Sequence, residues 1–186
     1  MNKYSLRQHL AHELGSHLST FKATSFDDAN DVHLCSDDTT GEVYDFDAYV
    51  RARGGKPIPA SPDAIHAGSK DFYFVEFKNQ RSSDIDKTQM QRKFVAGTEL
   101  LKELLQNFSA KDCRYHFCVV MKNQPRSRFM DFRHIERSVI NFGIDELNQK
   151  IGGFYDHVVT ESLNFYINQF KSLRCAHPSK LPNTAQ

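Results

Sequence analysis

An α/β fold, a mixed β-sheet flanked by helices, is what this sequence predicts. Two observations carry the prediction. Apolar residues recur at i+4 spacing in some segments and alternate in others, in the order helix, strand, hairpin, helix, strand and further helices. The length of 186 residues is that of one domain, and an apolar fraction of 39% with 15 phenylalanines supplies the hydrophobic core of a globular protein.

Residues 5–19 are predicted as the first helix. Ser5 suits the N-cap, and Leu6, Leu10, Leu14 and Leu18 make one apolar stripe. At about 100° per residue, Glu13 and His17 fall within roughly 20° of Leu6, so Glu13 is expected to point into the protein. Turn residues in DANDVHLCSDDTTG then lead into EVYDFDAYV, where Tyr44, Phe46, Ala48 and Val50 alternate with Asp45 and Asp47. That alternation predicts a strand with a carboxylate-bearing face. The segment RARGGKPIPAS, residues 51–61, holds paired glycines and two prolines and is predicted as a loop, with Arg51, Arg53 and Lys56 as candidate phosphate contacts or plain solvated charge.

The runs PDAIHA and FYFVEFKN, joined by GSKD, predict a tight β-hairpin turning between Ser69 and Lys70. A long helix is expected over 85–108, where Ile85, Met90, Phe94, Leu101 and Leu105 form a broad apolar face. CRYHFCVVMKN reads as a strand buried on both faces. Helices are expected over 132–150 and 154–173, divided at Gly152 and Gly153, with a loose tail at 174–186. One domain over 1–173 accommodates all of these. Between the last strand and the helices, Arg126 and Arg128 sit among other basic residues beside Phe129 and Phe132, a mixture that suits either nucleic-acid contact or a solvated face.

Composition narrows the function. A net charge of +1 creates no global field toward nucleic acid or an anionic membrane, so such binding requires a local patch. Four cysteines without a C-x-x-C pair fit neither a zinc ribbon nor a small disulfide framework, and reduced packing cysteines are expected. The N-terminal segment lacks the apolar stretch of a signal peptide and no run is long enough to span a bilayer, so a cytoplasmic, membrane-free protein is expected.

The hairpin carries the chemistry. With its turn at Ser69 and Lys70, paired residue numbers sum to about 139, which sets Asp63 opposite Glu76 with side chains on one face. Lys78, two residues beyond Glu76, shares that face. Taken alone, Glu76-Phe77-Lys78 reads as a salt bridge on a solvated sheet surface. Together with Asp63 it reads as a site, because adjacent carboxylates repel unless a cation separates them, and their oxygens suit Mg²⁺ or Mn²⁺. The Phe77 carbonyl is a further candidate ligand, and the Lys78 ammonium is placed to orient a water and offset charge on a phosphate under attack.

Pro62-Asp63, twelve intervening residues and Glu76-Phe77-Lys78 resemble the PD-(D/E)xK nuclease superfamily. The resemblance covers residues 5–125. It implies a restriction-endonuclease-like αβββαβα core with extra C-terminal helices, Asp63 and Glu76 as metal ligands, Lys78 as the catalytic lysine, Glu13 as an addition to the metal site, and Gln80, Gln89 or Gln91 as assisting polar groups. TQMQRKF does not match the Q-x-x-x-Y of the RecB-like subgroup. The activity implied is hydrolysis of phosphodiester bonds with Mg²⁺ or Mn²⁺, with DNA ahead of RNA as substrate. The biological settings it allows include defence, mobile-element processing and a toxin neutralised by an immunity protein, and many members are homodimers. The alternative is a noncatalytic module on the same fold that binds nucleic acid or protein.

Overall fold

The computed structural model describes residues 5–105, 113–123 and 142–178. The first helix, α1 (Leu6–Leu14), opens with a capping box: the Gln8 N–H donates to the Ser5 hydroxyl at 3.3 Å, and the Gln8 side chain accepts from the Ser5 N–H at 3.0 Å. After a 3₁₀ turn come β1 (Leu18–Ser19), α2 (Phe21–Thr24), and the short strands β2 (Phe26–Asp27) and β3 (Val32–His33). Next are β4 (Val43–Asp45), α3 (Phe46–Ala52), β5 (Ala64–Ala67), β6 (Asp71–Lys78) and α4 (Lys87–Leu104). Last are β7 (Arg114–Met121), α5 (Ile144–Lys150), β8 (His157–Ser162) and α6 (Leu163–Asn168).

Six strands form one sheet in the order β1-β4-β5-β6-β7-β8, while β2 and β3 pair separately. The first four of the six run antiparallel to their neighbours, and β6, β7 and β8 run parallel, so the sheet is mixed as expected. Antiparallel neighbours need only short connections, whereas the parallel step from β6 to β7 takes a crossover, which α4 provides. On one face, Ile65, Phe72, Phe74, Phe117 and Val119 meet Leu10 and Leu14 of α1, Phe46 and Val50 of α3, and Met90, Phe94 and Leu101 of α4. On the other, Tyr73, Val75, Phe77, Cys118 and Val120 meet Phe21, Leu163, Tyr166 and Leu173. Alternate residues of β6 therefore feed two cores, which is why the strand reads as a nearly continuous apolar run.

Four expectations need correction. The strand expected over 43–50 is a three-residue strand followed by α3. Positions 44, 46, 48 and 50 satisfy an alternating pattern, but Phe46 and Val50 also satisfy an i+4 pattern. The Asp45 carboxylate decides for the helix by accepting the Ala48 N–H at 2.8 Å as its N-cap. The loop expected over 51–61 accordingly begins only after Ala52, since Arg51 and Ala52 close α3. The first helix stops at Leu14 instead of 19, leaving Leu18 63% exposed. The helix expected over 154–173 is the strand β8 followed by α6; its Val158-Val159-Thr160 run is β-branched and packs better on a pleated edge than on a helix.

Part of the expected tail is also docked: the Ser36 N–H donates to the Ala176 carbonyl at 3.0 Å, and the Ser36 hydroxyl donates to the His177 carbonyl. All four cysteines are free thiols. Arg126, Arg128 and most of the expected helix over 132–150 lie outside the described residues. Among the described residues, no helix is long and apolar enough to cross a membrane.

Candidate functional site

The β5–β6 hairpin sets the site. The Gly68 N–H donates to the Asp71 carbonyl at 2.8 Å across the Ser69-Lys70 turn, and Ala64 pairs with Val75, Ile65 with Phe74, and His66 with Tyr73. One step further along this register, Asp63 lies opposite Glu76. The Asp63 N–H donates to the Val75 carbonyl at 3.0 Å, and Asp63 Oδ2 accepts the Phe77 N–H at 2.6 Å. The two carboxylates predicted to share a face do so.

Glu76 is fully buried, which corrects its reading as half of a surface salt bridge. Its carboxylate is held by two lysines. Lys78 Nζ lies 2.9 Å from Glu76 Oε1, and Lys93 Nζ, from α4, lies 2.8 Å from Oε1 and 2.9 Å from Oε2. Lys93 also stands 3.5 Å from Asp63 Oδ1, between the two carboxylates. Burial and the neighbouring Glu76 charge push the Asp63 carboxyl up to about 7, against the opposing pull of Lys93. The Lys93 ammonium loses hydration through burial, yet Asp63 and Glu76 outweigh that loss and hold its pKa above the ordinary value.

A close helix approach brings Lys93 there. Gly97 lies one turn beyond Lys93 on α4, and a Cβ at Gly97 would stand 2.4 Å from Pro62 Cδ. The absence of that Cβ lets α4 settle on the Pro62-Asp63 turn, so that Gly97 faces Pro62 while Lys93 faces Asp63.

A cleft of about 460 Å³ opens over the cluster. Asp63, Glu76, Phe77, Lys78 and Lys93 form its floor, and Asn79, Gln80 and Gln89 extend it. The opposite wall is residues 24–30, tied to the end of β6 by the Asn79 side-chain amide, which donates to Asp27 Oδ2 at 3.1 Å. Phe26 on this wall is 41% exposed.

Not every expected residue joins the cluster. Glu13 is exposed and bonded to its neighbour His12 at 2.9 Å, away from the cleft. The buried residues Leu6, Leu10 and Leu14 centre the stripe about 60° from Glu13, so a charged side chain at that edge turns to solvent. Gln91 donates to the Phe142 carbonyl at 2.9 Å and serves packing. Arg51 pairs with Asp47 along α3, Arg53 pairs with Glu103 at 3.0 Å, and Lys56 is exposed; none of the three lines the cleft. Lys93 and the 24–30 wall were not foreseen from the sequence. The available signal for Lys93 was its place three residues after Met90 and four before Gly97, on the buried side of α4.

The donor chemistry fits a hard divalent cation. Asp63 and Glu76 offer carboxylate oxygens, and the Phe77 carbonyl points to the same strand edge as its N–H, which already meets Asp63. Among the described residues, no group of three or more His, Cys, Asp and Glu side chains is arranged to hold a metal ion. A metal at this point would therefore rest on two carboxylates, backbone and water. Comparison with protein-family models, curated proteins and solved structures finds no match to this chain.

Proposed function

We propose that this protein is a metal-dependent nuclease that hydrolyses phosphodiester bonds, with DNA ahead of RNA as substrate and a restriction-endonuclease-like core. The observation that carries this reading is the meeting of Asp63, Glu76 and Lys78 on one face of a hairpin, at the floor of an open cleft. The order of three antiparallel strands β4, β5 and β6, the helix α4 and the parallel strand β7 supports it. Asp63, Glu76 and the Phe77 carbonyl would hold Mg²⁺ or Mn²⁺, which when bound supplies Lewis acidity and offsets charge gathering on the phosphate. Lys78 orients the attacking water and stabilises the developing negative charge, and Gln80 and Gln89 at the cleft rim bind the flanking backbone.

A second reading, a noncatalytic binding module, draws on one observation: the Lys93 ammonium lies between the two carboxylates, where the first reading needs a metal. The two are separated by incubating wild-type protein and Glu76→Gln with plasmid, single-stranded DNA and tRNA in Mg²⁺, Mn²⁺ or EDTA. Cleavage by wild type alone, abolished by EDTA, is expected. No cleavage of any substrate, with no Mn²⁺ bound in calorimetry, would overturn the nuclease and favour the module.

A further inference from the structure

The Asp63–Glu76 pair is costly to bury. Two carboxylates on one face, one of them fully buried, repel each other in a low-dielectric setting unless a cation lies between them. The fold supplies one. Lys93 Nζ contacts both Glu76 oxygens at 2.8 and 2.9 Å and faces Asp63 Oδ1 at 3.5 Å, whereas Lys78 reaches Glu76 alone, at 2.9 Å from Oε1. The two lysines are therefore not equivalent.

We propose that Lys93 is the resident counter-cation of this site, which holds the carboxylate pair together in the metal-free protein and which a divalent ion must displace in order to bind. The inference rests on the reading of Asp63 and Glu76 as metal ligands. Lys93 stands in the gap between the carboxylates that would ligate a divalent ion, so a second cation placed there meets its charge at close range. Displacement is sterically open, because Lys93 lines the cleft and its flexible stem allows the ammonium to swing into that space. It then remains beside the site as a second positive charge facing a bound phosphate. Gly97 is part of the device, since its close approach to Pro62 sets the reach of Lys93.

This arrangement makes opposite predictions for stability and metal affinity. Lys93→Met and Lys93→Gln should each lower the metal-free melting temperature by about 5 °C or more, because the buried pair loses its cation. Each should also bind Mn²⁺ about tenfold or more tightly than wild type at pH 8, because no ammonium competes. Lys78→Gln, which removes a charge that touches only Glu76, should show a clearly smaller gain. Titration calorimetry and thermal melts with and without Mn²⁺ read both quantities independently of catalysis.

Unchanged or weaker Mn²⁺ binding in both Lys93 variants would overturn the proposal, as would equal gains in the Lys93 and Lys78 variants, or no Mn²⁺ binding by any protein. A Lys93 variant that is unfolded without metal should recover its fold in Mn²⁺; one that stays unfolded in both conditions overturns the proposal. Cation exchange as expected, without cleavage of any nucleic acid, would remove the nuclease reading and leave this one standing.

Discussion

Asp63 and Glu76 face each other across the hairpin, yet they carry different burdens. Asp63 keeps 22% side-chain exposure, bonds the Phe77 N–H and resists ionisation, with its carboxyl pushed up to about 7. Above that pH its charge costs stability, so Asp63→Asn, which preserves the acceptor for Phe77, should leave the melting temperature at pH 8 unchanged or a few degrees higher. Glu76→Gln removes the partner of two part-buried lysines and should cost about 3–5 kcal/mol, on the order of 10 °C by scanning calorimetry. Equal losses in the two variants would contradict this division. Asp63, Glu76 and Lys78 were legible in the sequence because a two-residue turn fixes register by counting. Lys93 was not, because it reaches the site from a separate helix and its contact depends on how closely that helix packs.

At the scale of elements, α4 and the Pro62-Asp63 turn act as a unit. Gly97→Ala would place a methyl group 2.4 Å from the rigid Pro62 ring, so the helix must lift from the turn. A loss of about 1–3 kcal/mol is expected in urea denaturation, together with weaker coupling of Lys93 to Asp63. A Gly97→Ala protein as stable as wild type would show that this contact yields easily. The elements misjudged from sequence have a common cause. Residues 44–50 fit two periods at once, and the Asp45 cap chose between them. Residues 157–162 became a strand because β7 offers a parallel edge in register, with His116 opposite His157 through Met121 opposite Ser162. A sheet edge is a property of distant sequence, and no local pattern announces it.

Across the whole molecule, β6 runs from a structural ion cluster at Asp71 to the candidate site at Lys78. Asp71 accepts from His116 Nε2 at 2.9 Å and pairs with Arg114 at 2.8 Å. Burial works against its ionisation, but these bonds prevail and hold the carboxyl below its ordinary value. Burial likewise holds the His116 imidazole below its ordinary value, against the opposing pull of Asp71. A carboxyl held low contributes stability that is present above the unfolded-chain value of 3.8 and is lost as pH falls through the folded value. The melting-temperature gap between wild type and Asp71→Asn should therefore be widest near neutral pH and close as pH falls below 3.8 through the folded value. A gap independent of pH would make the Asp71 contribution steric. Asp63 carries the opposite sign, since its raised carboxyl is relieved by acid, so acid unfolding should begin at the Asp71 end of β6 and not at the cleft.

Periodicity and counting within short stretches were enough for the mixed α/β fold, the Ser5 cap, the hairpin register and the meeting of Asp63, Glu76 and Lys78. Long-range packing set the rest: Glu13 faces solvent, β8 joins the sheet, residues 24–30 wall the cleft, and Lys93 lies between the carboxylates. Those outcomes depend on packing between segments far apart in the chain, where burial and charge compensation select among local conformations that the sequence leaves nearly equal in energy.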